Sequence, residues 1–427
     1  MSGVSWCFLQ GLIAWRPGKL AKGTLRITLG LVLRTLGQGL VFLIVARVLG
    51  AATYGAYAAT LALAMMLGTF TGLGAPILML RDTARNHDVL ADSWGHLVAT
   101  WLVTAPLLLL VLALVSRMLL PAGIDWLAVL CLGIAEIVCA PIALAAAQVY
   151  QAHERAGRMA HLLVVPALLR LAAALPLLLF VDTPGNVRLT LWSLAYLLAA
   201  VASLGYSLAM LRRDFGLQVT ARWHELPRLL KEGWPFSVSG AAQKVYMDID
   251  KLMLARLGTL GAAGGYSAAY RVVDMASLPL ASFFTAVTPR MMREGKNGLS
   301  HVNRYILRLL PVPLFYAISV AGALYVLADL LPWLLGPSFA PAVEILRWLI
   351  LLPVLVLVRR FLLSANFCVE RQRFGMSIIL LGAGVNVVLN LWWIPLWSWQ
   401  GALWATYAAE GSMIVALLIA QARHVTE

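Results

Sequence analysis

The chain has 427 residues, 61% of them hydrophobic and 12% charged. Soluble domains carry about 25% charged residues, so a mean hydropathy of +0.85 excludes a division into one or two soluble domains. The 33 Lys and Arg against 19 Asp and Glu give a formal net charge of +14. These cations stand singly or in pairs between apolar stretches, without an aromatic-basic platform or zinc-finger spacing, so they do not point to nucleic acid.

A bilayer span needs about 20 mostly apolar residues. In chain order twelve segments qualify: 25–46, 54–80, 94–116, 126–149, 159–181, 189–211, 234–257, 263–289, 304–328, 340–363, 374–395 and 400–422. Before them, the apolar stretch Met1–Trp15 precedes its charges Arg16, Lys19 and Lys22. That order is the reverse of a cleavable signal and suggests an interfacial helix. The second segment holds Gly68, Gly72, Gly74 and Pro76, and the fifth holds Pro166 and Pro176; such kinks are tolerated where neighbouring helices satisfy the freed backbone groups. The expected organisation is an N-terminal segment 1–24, an N-lobe 25–211, a linker loop 212–233, a C-lobe 234–422 and a tail 423–427. The expected fold class is thus an all-α polytopic membrane protein. No loop outside the membrane is long enough to fold as a domain.

Counted loop by loop, 22 Lys and Arg lie on one side and four, Arg47, Arg117, Arg188 and Arg256, on the other. This bias predicts that the 22-cation side and both termini are cytoplasmic. Trp94, Trp126, Trp192, Trp234, Trp333 and Trp397 fall near segment ends, as an aromatic belt should. Cys7, Cys131, Cys139 and Cys368 are widely separated and read as small buried hydrophobes, not a disulfide framework.

The two halves repeat. Ala46-Arg47 followed by Gly55, Tyr57 and Ala59 recurs as Ala255-Arg256 followed by Gly264, Tyr266 and Ala268, every position offset by 209. Glu154-Arg155 and Glu370-Arg371 form a weaker echo. Six segments precede the linker and six follow it. Both halves therefore enter from the same side, and the repeat is parallel, with its axis along the membrane normal, as in transporters.

Charges inside spans usually face a cavity or a partner. The cations are Arg34, Arg170, Lys244, Lys251, Arg271, Arg308 and Arg347; the acids are Glu136, Asp248, Asp250, Asp274, Glu344 and Glu410. Lys244, Asp248 and Lys251 share one face of the seventh segment, and Asp250 points elsewhere. Arg34 and Gln38 share a face of the first. Arg34 has no acid in its own segment, so it and Lys244 are assigned to a water-filled central cavity that meets an anionic substrate. Arg271–Asp274 and Glu344–Arg347 could equally be local ion pairs. Arg170 and Arg308 fit either role, and Arg359 and Arg360 read as snorkelling or lipid-facing anchors.

The stretches GQGLVFLIVARVLGAATYGAYA (37–58), TGLGAPILMLRDTAR (71–85), GWPFSVSGAAQKVYMDIDKLMLARLGTLGAAGGYSAAYRV (233–272), LLGPSFAPAVEILRWL (334–349) and GALWATYAAEG (401–411) resemble, in this order, signatures of the polysaccharide-transport, O-antigen flippase-like family of the MOP exporter superfamily. The lipid II flippase branch is similar at the first segment but usually has fourteen helices. The resemblance implies a two-lobed, MATE-like bundle that flips an undecaprenyl-pyrophosphate-linked oligosaccharide to the outer leaflet of a bacterial inner membrane. It implies a cationic cavity, an expectation carried onto Arg34, Lys244, Asp250 and Arg271 in the matching stretches. The reading of in-span residues adds Gln38, Arg170 and Arg308 as further substrate-site candidates, and Asp248, Asp250 and Asp274 as coupling or structural acids. Asp250 matches the family's acidic position in the seventh helix.

The expected partners are the lipid-linked oligosaccharide, membrane lipids, and a polysaccharide polymerase with its chain-length machinery. A monomer is expected, because the cavity lies between two halves of one chain. No cofactor and no metal is expected: the seven histidines, His87, His96, His153, His161, His224, His301 and His424, are scattered on the cytoplasmic side, and no HExxH, Walker loop or GxSxG is found. A cation-coupled drug or metabolite exporter of the same fold is the alternative. A membrane polymerase or ligase ranks last, because the outer loops are short, and the stretch Asp329–Phe339 lacks cations and histidines.

Overall fold

The computed structural model describes residues 19–217, 222–223 and 226–425. Met1–Trp15, Cys7 and His224 lie outside the described residues. In chain order the helices are α1 (Lys19–Gly68), α2 (Ala75–Arg85), α3 (Leu90–Leu119), α4 (Trp126–Gly133), a π turn (Ile134–Cys139), α5 (Ala140–Ala152), α6 (Ala156–Ala174) and α7 (Gly185–Phe215) in the N-lobe. The C-lobe holds α8 (Leu226–Leu257), α9 (Leu260–Ala276), α10 (Leu278–Gly295), α11 (Leu299–Leu309), α12 (Pro311–Leu327), α13 (Leu331–Leu335), α14 (Pro341–Leu349), α15 (Leu352–Cys368) and α16 (Gln372–Val425).

Among the described residues, eight helical stretches are long and apolar enough to cross a bilayer, or nine when α9 and α10, bent by 43°, count as one. Two of these turn back on themselves and cross twice. α1 breaks at Gly50, whose φ of 75° and ψ of 164° suit a residue without a Cβ. The Phe42 and Tyr54 rings then meet at 5.9 Å, whereas twelve residues of straight helix would separate them by about 18 Å. α16 breaks at Ser398 (φ 51°, ψ −126°), which folds Gly401 back against Trp393. α8 carries too many charges to count as apolar; with it, and with the two broken helices counted twice, the described residues make up twelve passes.

The weaker echo in the sequence is the same turn made twice. Glu154 ends α5 at φ 55° and Glu370 ends α15 at φ 62°. Arg155 N then donates to Tyr150 O at 2.9 Å and Arg371 N to Asn366 O at 3.0 Å. This is the bond pattern of a left-handed helix stop.

One apolar core spans both lobes at the end carrying the cation-poor loops, joining Val45 and Ala59 of α1 and Trp192 of α7 to Leu254 of α8, Ala268 of α9 and Leu346 of α14. Toward the cation-rich end the cores separate. Met79, Trp94 and Tyr150 pack within the N-lobe, and Phe284, Met291 and Phe361 within the C-lobe. The lobes are thus fused at one end and distinct at the other, with a strut where Gly233 of α8 lies against Leu73 and Gly74. At the fused end Arg47 Nη1 donates to Trp333 O at 2.9 Å and Leu334 O at 3.0 Å, and Ala51 N donates to Ser338 Oγ at 3.1 Å.

Candidate functional site between the lobes

A cavity of about 550 Å³ lies between the lobes. The N-lobe supplies Arg34 and Gln38 from α1, Glu136 from the π turn and Arg170 from α6; the C-lobe supplies Lys244, Asp248 and Lys251 from α8 and Arg271 and Asp274 from α9. Five cations therefore meet three carboxylates. α8 places its three side chains together because positions 244, 248 and 251 fall on one helical face. Thr259 starts α9 by accepting from Ala262 N at 3.1 Å, and this helix carries Arg271 and Asp274 into the cavity.

The charges are unevenly paired. Asp248 binds Lys251 at 2.5 Å and Lys244 at 3.4 Å. Arg170 binds Glu136 at 3.1 Å, and the Tyr196 hydroxyl donates to the same carboxylate oxygen. Arg34 and Arg271 make no ion pair within 4 Å among the described residues, although they belong to opposite lobes of one cavity. Of the two readings left open for Arg271 and Asp274, the local ion pair is not formed at that distance. Both side chains line the cavity.

Asp250 is 2% exposed and lies off the face that Lys244, Asp248 and Lys251 share, accepting from the Tyr266 hydroxyl at 2.8 Å and the Lys251 backbone N–H at 2.8 Å. Other placements differ from the sequence reading. Arg308 is exposed on α11 and does not reach the cavity. That helix buries Val302 and Ile306 in the C-lobe core, and position 308 lies on its other side. Arg347 pairs with Asp329 at 2.7 Å, not with Glu344. Arg359 is no lipid-facing anchor: it binds Glu410 at 2.6 Å, with side chains 15% and 1% exposed, and Tyr246 donates to the same carboxylate. Arg360 lies over the Phe284 ring at 4.5 Å.

Glu136 and Lys251 are cavity residues absent from the sequence-based site. Lys251 was legible from its face shared with Lys244. Glu136 stood out in the sequence only as an in-span acid; the π turn that carries it has no counterpart in spacing. Among the described residues no group of three or more His, Cys, Asp or Glu is arranged to hold a metal. His87 and His153 do meet, stacked at 4.4 Å with planes 20° apart. Nearly parallel rings aim their in-plane lone pairs side by side, so the two nitrogens do not converge on one ion.

The two-lobed helical fold is shared with solved structures of MOP-superfamily proteins. An inward-facing multidrug-resistance MATE transporter superposes with a TM-score of 0.68 at 14% identity, covering 94% of this chain and 98% of its own. The lipid II flippase MurJ, in an inward closed conformation, gives 0.69 at 11% identity, covering 93% and 87%. A MOP-superfamily transporter from Pyrococcus furiosus, described as having a binding pocket of reverse polarity, gives 0.60 at 13% identity, covering 94% and 96%. Residues 20–294 match the profile of the polysaccharide biosynthesis protein family, and the chain belongs to that family. A search of curated protein sequences returns no match.

Proposed function

We propose that this protein flips an undecaprenyl-pyrophosphate-linked oligosaccharide from the cytoplasmic to the outer leaflet of a bacterial inner membrane, for O-antigen or exopolysaccharide assembly. Family membership supports the pathway. The observation that carries the substrate class is the pair Arg34 and Arg271, two cavity cations on opposite lobes with no carboxylate within 4 Å among the described residues. A pyrophosphate offers several anionic oxygens in a small volume and can engage guanidinium groups on both sides.

In this reading both termini are cytoplasmic and the lobes are distinct on the cytoplasmic side, where the headgroup enters. Rocking of the lobes then exposes it to the other face. A membrane potential negative inside favours outward passage of an anion by about 2.3 kcal/mol per charge per 100 mV. Asp248, Asp250 and Asp274 are the acids available if an ion is coupled to the step. The protein acts as a monomer and passes its product to a polysaccharide polymerase and its chain-length machinery. The chemistry is translocation, with no bond made or broken. An exporter of organic cations fits less well, because five cations outnumber three carboxylates in the cavity; Glu136 and Asp248 are engaged by Arg170 and the two lysines, which leaves Asp274 as the cavity carboxylate without an ion pair among the described residues.

The test is flipping of a fluorescent lipid-linked oligosaccharide in proteoliposomes. Arg34→Ala and Arg271→Ala are expected to lose at least about tenfold in rate, the effect of roughly one charge-assisted hydrogen bond, while reaching the membrane at normal levels. Wild-type flipping by both variants would falsify the reading.

A further inference from the structure

Glu136 owes its position to an irregularity. The π turn Ile134–Cys139 interrupts the fourth pass, and single-turn π insertions recur at functional sites. A widened turn frees backbone carbonyls, and here neighbouring passes answer them. Thr71 Oγ1 donates to Ile137 O at 2.9 Å and Trp101 Nε1 to Val138 O at 3.1 Å. Gly68 packs so closely that a Cβ there would stand 2.7 Å from Glu136 O. The distortion is therefore held from outside and presents a carboxylate, 8% exposed, at the cavity wall.

The partner is only partly satisfied. Arg170 Nη2 donates to Glu136 Oε1 at 3.1 Å, and its guanidinium lies 4.3 Å from the centre of the Tyr196 ring. Its Nε is buried with no hydrogen-bond partner among the described residues. A guanidinium has five N–H donors in a planar fork that suits bidentate phosphate binding. One bond to one carboxylate oxygen leaves most of that capacity open in a cavity where Arg34 and Arg271 make no ion pair among the described residues. Glu136 keeps its own anchor, the Tyr196 hydroxyl, whether or not Arg170 stays.

We propose that Glu136 is a displaceable counter-anion, which neutralises Arg170 in the empty cavity, yields it to the substrate's anionic headgroup, and takes it back to release that headgroup once the lobes have rocked. The inference rests on the flippase reading and assigns to that site the residue that sets release. A carrier must hold its cargo firmly enough to load and weakly enough to unload. A buried, uncompensated cation is also costly, so the same carboxylate lets the empty carrier return.

The probe is undecaprenyl pyrophosphate without sugar, titrated onto the full chain in nanodiscs, with flipping of the fluorescent lipid-linked oligosaccharide measured in parallel. Glu136→Gln is expected to bind the probe about tenfold more tightly and to flip more slowly, a split that a merely structural carboxylate would not produce. Should that variant fail to fold, Arg170→Gln and Arg170→Gln/Glu136→Gln form a second comparison. The double variant binds the probe more tightly than the single one, because no unpaired carboxylate then faces the headgroup. Equal or weaker binding by Glu136→Gln, or no gain in the double variant, overturns the proposal while leaving the flippase reading intact. Failure of the wild-type protein to bind the probe sinks that reading and this inference with it.

Discussion

Gly55 and Gly264 face each other reciprocally across the fused end of the lobes: a Cβ on Gly55 would stand 2.8 Å from the nitrogen of Gly264, and one on Gly264 would stand 3.0 Å from the nitrogen of Gly55. Each would also strike a carbonyl, that of Leu260 or Ala51, and these two residues are again 209 apart. Only a local two-fold relation between the repeats produces such a pattern. The motif first visible as a spacing is therefore the seam at which the halves meet.

Alanine is the better helix former by about 0.5–1 kcal/mol, yet Gly55→Ala should lower stability, since overpacking a tight contact costs about 1–3 kcal/mol. Gly205 in α7 is the control, because a Cβ there would meet nothing within 4 Å. Thermal unfolding in detergent should show Gly55→Ala melting below the wild type and Gly205→Ala at or above it. The reverse order would refute the seam.

Arg47 and Arg256 occupy the same repeat position but do different work. Arg47 donates to two carbonyls at the end of α13, whereas Arg256 is exposed and makes no side-chain hydrogen bond or ion pair among the described residues. Arg47→Ala should lose about 1.5–3 kcal/mol of contact between the lobes, the range for hydrogen bonds to charged groups. A cysteine at Ser338 should then label faster with a membrane-impermeant maleimide. Arg256→Ala should leave the labelling rate unchanged.

The Arg359–Glu410 pair lies inside the C-lobe, so removing one partner strands a buried charge. Arg359→Ala or Glu410→Ala is expected to cost about 3–5 kcal/mol and to reduce the folded yield sharply, as read by size-exclusion fluorescence. Replacing both by apolar residues of similar volume should recover much of the loss. Arg360→Ala should be mild by comparison.

Hydropathy and cation counts made the passes legible, because each depends on residues close in sequence, and the 209-residue register made the two-lobed plan legible. The frame repeats, but the charges do not: the positions 209 away from Arg34 and Arg271 are Gln243 and Ala62. The cavity is thus asymmetric on a symmetric scaffold, and in-span charge located α1, α8 and α9 as its walls. Pairing between helices was hidden. Glu136 reaches Arg170, 34 residues away, and Arg359 reaches Glu410, 51 away. Those meetings depend on helix crossings and a π turn that spacing does not encode. Local spacing left the Glu344–Arg347 pair open, and the fold settles it by bringing Asp329 to Arg347 instead.

Lys244 and Lys251 share Asp248 but not equally, and that inequality separates stability from binding. Lys251 is 14% exposed, lies 2.5 Å from the carboxylate and sits over the Tyr270 ring at 5.1 Å. Lys244 is 30% exposed and lies at 3.4 Å. Removing Lys251 breaks the tighter, drier pair and leaves Asp248 only the longer contact with Lys244, so a loss of about 1–3 kcal/mol is expected. Removing Lys244 leaves Asp248 with its stronger partner and should cost under about 1 kcal/mol. The looser lysine is the one free to turn toward a headgroup. Lys244→Ala should therefore weaken probe binding in nanodiscs with little change in melting temperature, and Lys251→Ala should lower the melting temperature first. Equal melting temperatures for the two variants would show that Asp248 does not distinguish them.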